Sequence, residues 1–294
     1  MKQIAILLGL IVLLGFSPGC KNKKKESKEG FTFDQEAEKR SDIEITKSFI
    51  YLFPSPGEIM DRLSEANLQF DADNLHNPNL ADRYMTSRDQ GLNLGVYITD
   101  MAYSALFDRG TTASKYMDVV RKLSNEMNIS STVFENLIDR AKANTSNKDS
   151  LVQISNEFFY NMVEYLEYSG KESTVAVISC GAYVEALYIS FNSIEEYNEY
   201  NPIIRQIAEF KYPMENLLSN AESASSDPNV QSILKYITEL NGLFEEIEAE
   251  SGQIEKDEPG VLSLNGGSLP RLTPDNFRQI REKVFNIREY IVGL

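Results

Sequence analysis

Residues 92–107 read LNLGVYITDMAYSALF, and residues 175–191 read VAVISCGAYVEALYISF. Each run carries one charge, Asp100 in the first and Glu185 in the second. A helix that is apolar nearly all round has no face to give to water, so both runs are expected at the centre of a helical domain.

Outward from these runs the chain shows amphipathic stripes at helical spacing. One is Leu151, Ile154, Phe158, Met162 and Leu166, and another is Ile203, Ile207, Phe210, Met214 and Leu217, where Pro213 removes a backbone donor and predicts a kink. Val230, Ile233, Ile237, Leu240, Phe244 and Ile247 form a third stripe, and Phe277, Ile280, Val284, Ile287 and Ile291 a fourth. Four helix starts are marked by a capping residue followed by proline: Ser55-Pro56, Asn201-Pro202, Asp227-Pro228 and Thr273-Pro274, with Glu58 placed to reach back to the first cap. The fold class read from this pattern is all-α. It predicts a multi-helix array of about nine or ten helices, near Thr46, Glu58, Arg88, Ser114, Phe134, Leu151, Val175, Ile203, Val230 and Phe277. One exception is expected over residues 261–272, where Leu262 and Leu264 alternate up to Asn265-Gly266-Gly267. That is the signal of a small β-hairpin before the C-terminal helix, with a plain loop as the alternative.

A faint repeat links the two central runs. Gly95-x-Tyr97 and Gly181-x-Tyr183 lie 86 residues apart, and a one-residue slip pairs Asp100 with Glu185 and Tyr103 with Tyr188. Two similar helical halves would produce this. The spacing is too long for a tetratricopeptide unit of about 34 residues.

The N-terminus carries a different signal. Lys2 precedes an apolar run, residues 4–16, which is too short to span a bilayer and leads into Phe16-Ser17-Pro18-Gly19-Cys20. The Cys after Gly19 resembles the lipobox of bacterial lipoproteins, which implies cleavage before Cys20 and acylation of that residue. Two or more acyl chains would hold the protein on a membrane without a transmembrane helix. Residues 1–19 are thus read as a signal peptide and 20–41 as the lipidated Cys with a charged tether. Residues 42–252 are read as the helical domain, and 253–294 as linker, short hairpin and C-terminal helix. Over residues 45–250 the pattern resembles an uncharacterised group of helical lipoproteins from Bacteroidetes-type bacteria, through Tyr51-Leu52-Phe53-Pro54-Ser55-Pro56, Leu92-Asn93-Leu94-Gly95 and Ser226-Asp227-Pro228-Asn229. The resemblance implies a compartment and a fold class and brings no catalytic residues.

Charge and composition narrow the chemistry. Five lysines, Lys21, Lys23, Lys24, Lys25 and Lys28, follow the lipid site and could lie on anionic head groups or form a solvated tether. Past Gly30, 23 basic residues face 42 acidic ones, which argues against nucleic acid. With Cys20 acylated, Cys180 has no disulfide partner and is read as a core thiol. The only histidine, His76, lies in a polar stretch and is read as an exposed turn residue. Di-iron sites need two Glu-x-x-His pairs and zinc hydrolases usually two or three His ligands, so no metal site and no cofactor are expected. Asp71-x-Asp73 opens like a calcium loop but then has Leu75, His76 and Asp82 where the loop needs an oxygen ligand, Gly and Glu. No phosphate-binding glycine loop and no Gly-x-Ser-x-Gly occurs.

The two lone carboxylates remain. A charge in low dielectric must be paired, hydrogen-bonded or wetted. One reading makes Asp100 and Glu185, flanked by Tyr97, Tyr103 and Tyr188, the wall of a pocket that grips a cation or supplies acid and base. The other ties each carboxylate to a base or a backbone donor as a packing lock. On an ideal helix Gly95 and Asp100 point about 140° apart and Gly181 and Glu185 about 40° apart, so the repeat does not place the carboxylates equivalently. The function expected is that of a lipid-anchored envelope protein at the outer membrane, on its periplasmic face or at the cell surface, acting as a non-catalytic binding or scaffold module. Its partners would be the membrane, through lipid on Cys20, and an envelope protein or small ligand. The alternative is a carboxylate-based hydrolase or lyase acting on envelope material.

Overall fold

A computed structural model describes residues 53–130, 134–250 and 269–293. These residues fall in the larger of two units into which the chain divides, Lys47–Leu294. The signal peptide, Cys20, the tether and the helix near Thr46 lie outside the described residues.

The described residues are all-helical in architecture, with ten α-helices. They are α1 Pro56–Glu65, α2 Ser87–Leu106, α3 Gly110–Glu126, α4 Glu135–Ala143, α5 Lys148–Tyr168 and α6 Glu172–Asn192, then α7 Pro202–Glu209, α8 Lys211–Ser223, α9 Pro228–Glu245 and α10 Pro274–Val292. Every start marked by a cap and a proline is used. Ser55 and Thr273 close capping boxes with Glu58 and Asn276, while the side chains of Asn201 and Asp227 accept from Ile203 N and Asn229 N. The stripe from Ile203 to Leu217 is broken rather than kinked. α7 ends at Glu209 and α8 begins at Lys211, because Pro213 cannot donate to the carbonyl of Glu209 four residues back.

The hairpin expected over residues 261–272 is not supported. Its turn, Asn265-Gly266-Gly267, lies outside the described residues, and the one short pairing among the described residues joins Ala249–Glu250 antiparallel to Leu269–Pro270. Two residues a side, between partners on opposite flanks of residues 251–268, do not make the ribbon that the Leu262 and Leu264 alternation suggested.

At the centre, α2 and α6 form the most extensive helix–helix contact, and both α1 and α5 pack on each of them. Their glycines meet reciprocally. A Cβ on Gly95 would land on Ile178 O and Ala182 N, and a Cβ on Gly181 would land on Leu92 O. The absence of these two Cβ atoms is what lets the backbones approach. Thr99 Oγ1 then bridges the crossing, donating in a shared bond to Gly95 O and Ala182 O, both at 3.1 Å. Cys180 lies beside this crossing, a free and fully buried thiol pushed up to about 12 by burial. By length and composition α6 alone among the described helices could cross a membrane, yet it is buried among its neighbours and serves as a core helix. α10 packs on α6, α9 and α2 and closes the side of the core where the two carboxylates lie.

Candidate functional site

Asp100 on α2 and Glu185 on α6 are both fully buried. They lie close enough for the charge on Glu185 to push the Asp100 carboxyl up. Their partners differ in kind. Glu185 is met by Arg288 of α10, whose Nε donates to Oε2 at 2.8 Å and whose Nη2 donates to Oε1 at 3.0 Å. This is a two-pronged guanidinium–carboxylate pair, the geometry that best repays desolvation. Tyr188, one turn beyond Glu185, holds the other face of the cation, with the Arg288 Cζ 3.9 Å from its ring centroid.

Asp100 has no such cation. Its Oδ2 accepts the backbone N–H of His76 at 3.0 Å, and its Oδ1 has no hydrogen-bond partner among the described residues. Burial, reinforced by Glu185, raises Asp100 well above the ordinary carboxylate range, more than Arg288 and the His76 N–H can pull it back. Burial also raises Glu185, but there the charge and hydrogen bonds of Arg288 oppose it directly. Burial disfavours the charged form of Arg288, and Glu185 outweighs that loss, so the guanidinium is held more firmly charged than usual. One cation serves two carboxylates. Burying a net negative charge is costly, so the cluster is neutral when Glu185 and Arg288 are charged and Asp100 keeps its proton.

The segment between α1 and α2 lies over Asp100. It contains two short 3-10 turns, Ala72–Asn74 and Pro78–Arg83, and core side chains hold it by its backbone. Tyr116 Oη donates to His76 O at 2.8 Å and Tyr97 Oη to Asn77 O at 3.0 Å. Tyr103 Oη donates to Gln69 O at 2.7 Å and accepts from Asp71 N at 2.8 Å. His76 is therefore not the exposed turn residue expected from the sequence. Only 3% of its surface is accessible, its Nε2 shares a proton with Tyr84 Oη at 2.7 Å, and its ring lies 5.2 Å from that of Tyr97. Burial, with a smaller push from Arg288, takes the imidazole down to about 3, so it is neutral.

The sequence-derived residues are thus only partly brought together. Asp100, Glu185, Tyr97 and Tyr188 share one buried polar cluster, whereas the Tyr103 hydroxyl is committed to Gln69 and Asp71 further along the segment. Cys20 lies outside the described residues. Sequence reading missed Arg288, His76, Tyr84 and Tyr116. Arg288 was findable, because it stands four residues after Val284 and three before Ile291, on the buried stripe of α10. For His76 the surrounding polar residues gave the opposite signal.

Two hollows of the described structure lie elsewhere. An open depression of about 650 Å³ is lined by residues 193–201, and a void of about 10 Å³ lies among Met101, Ala113, Leu151 and Ser155. Neither reaches Asp100 or Glu185. No group of three or more His, Cys, Asp or Glu side chains among the described residues could hold a metal ion. Set against protein-family models, curated proteins and solved structures, the chain finds no match.

Proposed function

We propose that this chain is a lipid-anchored protein of the bacterial envelope, held through Cys20 and most consistent with the outer membrane. Its helical body acts as a non-catalytic binding or scaffold module for an envelope protein or a small ligand. The observation that carries the non-catalytic reading is the state of the candidate acid–base pair read from the sequence. Asp100 and Glu185 have no accessible surface, and the two hollows reach neither of them. A general acid must come within hydrogen-bond reach of the group it protonates, and a carboxyl under a strap and a closing helix has no such reach. The cluster is better suited to fixing how α2, α6 and α10 sit together, which gives the module a rigid surface. The anchor rests on the resemblance of Phe16-Ser17-Pro18-Gly19-Cys20 to a lipobox. The reciprocal meeting of Gly95 and Gly181 supports reading the body as two similar halves.

The hydrolase or lyase alternative draws on one observation, the unpartnered Oδ1 of Asp100 and the raised carboxyl that goes with it. Two experiments separate these readings. Palmitate labelling of the full chain should mark wild type and leave Cys20→Ser unlabelled; label on the variant would remove the anchor from the proposal. Crosslinking in intact envelopes should then capture the same partner with wild type and with Asp100→Asn. Loss of capture in a variant at least as stable as wild type would return Asp100 to a functional role.

A further inference from the structure

Residues 68–84 cross the charged cluster as an irregular strap, and two of the groups closed in by it, Asp100 and His76, form no ion pair among the described residues. Arg288, the one cation acting on the cluster among the described residues, is committed to Glu185 by both prongs. His76 uses its Nε2 on the Tyr84 hydroxyl and its backbone N–H on Asp100. With neither group ion-paired, each is buried in its uncharged form, the acid with a proton and the imidazole without one.

We propose that the strap closes over Asp100 in a proton-matched step: opening moves one proton from the Asp100 carboxyl, through solvent, to the His76 imidazole, with no net exchange with the medium. In the closed state the pair is a carboxylic acid and a neutral imidazole. In the open state it is a carboxylate and an imidazolium, with the same total of protons. The strap then stays equally shut across mildly acidic pH and loosens on either side, where only one of the two groups exchanges with solvent.

The signs follow from each group separately. His76 is lowered to about 3 when closed and returns to about 6.5 when open, so its contribution to closure is complete above about 6.5 and is lost as pH falls. Asp100 is raised when closed, so its contribution is complete below about 4 and is lost as pH rises through its closed-state value. Between about 4.5 and 6 one proton is released for each one taken up. The other titratable groups facing the pair do not disturb this window. Tyr84, Tyr97, Tyr103, Tyr116 and Tyr188 are all raised by burial and stay protonated. Glu185 is also raised by burial, but its two-pronged partner Arg288 lies on α10 and not on the strap, so the pair is the same in both states and its titration cancels.

The chain has one histidine, so its imidazole resonance can be followed in the full-length protein without assignment. Folded wild type should show no titration of that resonance between pH 7 and about 4.5; a midpoint near 6.5 in the folded protein would overturn the proposal even if no variant folds. Hydrogen exchange of residues 68–84, corrected for the intrinsic rate, then reads the opening itself. Wild type should vary by less than about threefold from pH 4.5 to 6. In Asp100→Asn the opening constant should rise toward tenfold per unit as pH falls below about 6.5, and in His76→Gln it should rise toward tenfold per unit as pH climbs above about 4.5. Parallel profiles in all three proteins would refute proton matching.

Discussion

The α2 and α6 sides of the central crossing start from the same sequence pattern and end in different chemistry. Each helix brings a glycine to the contact and a carboxylate a turn or so later. On the α6 side, Glu185 meets a guanidinium from the end of the chain and keeps its charge. On the α2 side, Asp100 meets one backbone N–H from the strap, and burial pushes its carboxyl toward the protonated form. The glycine positions are a property of the pair of helices, since each needs only the other. The ionisation of each carboxylate is a property of whichever third segment reaches it, 24 residues before Asp100 in one case and 103 residues after Glu185 in the other.

The contrast can be broken most sharply from the α6 side. Arg288→Met keeps the stem but strands Glu185 as a buried charge, and should lower stability at neutral pH by about 3–5 kcal/mol in chemical denaturation. Adding Glu185→Gln should recover much of that loss, because the stranded charge is gone. If the double variant is as unstable as the single one, the pair contributes packing and not charge compensation.

The shared part of the two sides is tested next. Gly181→Ala places a methyl against Leu92 O and should cost about 1–3 kcal/mol, although alanine is the better helix former.

Asp100→Asn is expected to act in the opposite direction from the Arg288 change. An asparagine needs no proton to be buried neutral, so at pH 7 the variant should be more stable than wild type by about 1–2 kcal/mol. The advantage should shrink toward zero as pH falls to about 4, where the unfolded wild-type chain is itself protonated. Denaturant midpoints at several pH values would show this, and an advantage that grows on acidification would be wrong in sign. The smallest effect is a control on the glycines. Gly242 lies inside α9 with open space where a Cβ would go, so Gly242→Ala should stabilise by about 0.5–1 kcal/mol.

Much of this fold could be read from the sequence because its determinants are local. The cap-and-proline pairs Ser55-Pro56, Asn201-Pro202, Asp227-Pro228 and Thr273-Pro274 each start a helix where they stand, and the two apolar runs are the central helices. Asp100 and Glu185 could be singled out for the same reason, as lone charges in apolar runs. What was not legible is what reaches them. Arg288 comes from a helix whose position is set by tertiary packing, and only its place on the α10 stripe hinted at burial. His76 was misread because a strap held by its backbone can keep polar side chains outside. Asp71, Asp73 and Asn77 are exposed while the imidazole between them is buried. The hairpin signal at Asn265-Gly266-Gly267 lies outside the described residues, and a turn signal by itself does not reveal that Leu269–Pro270 pairs with Ala249–Glu250.

The unequal ionisation of the two carboxylates can be measured directly by infrared difference spectroscopy of the folded protein at neutral pH, through the carbonyl stretch that only a protonated carboxylic acid gives. Wild type should show one such buried band; it should vanish in Asp100→Asn and persist in Glu185→Gln. A spectrum without that band, or one in which it disappears with Glu185→Gln and survives Asp100→Asn, would contradict the assignment of a charged lock on α6 and a neutral acid on α2.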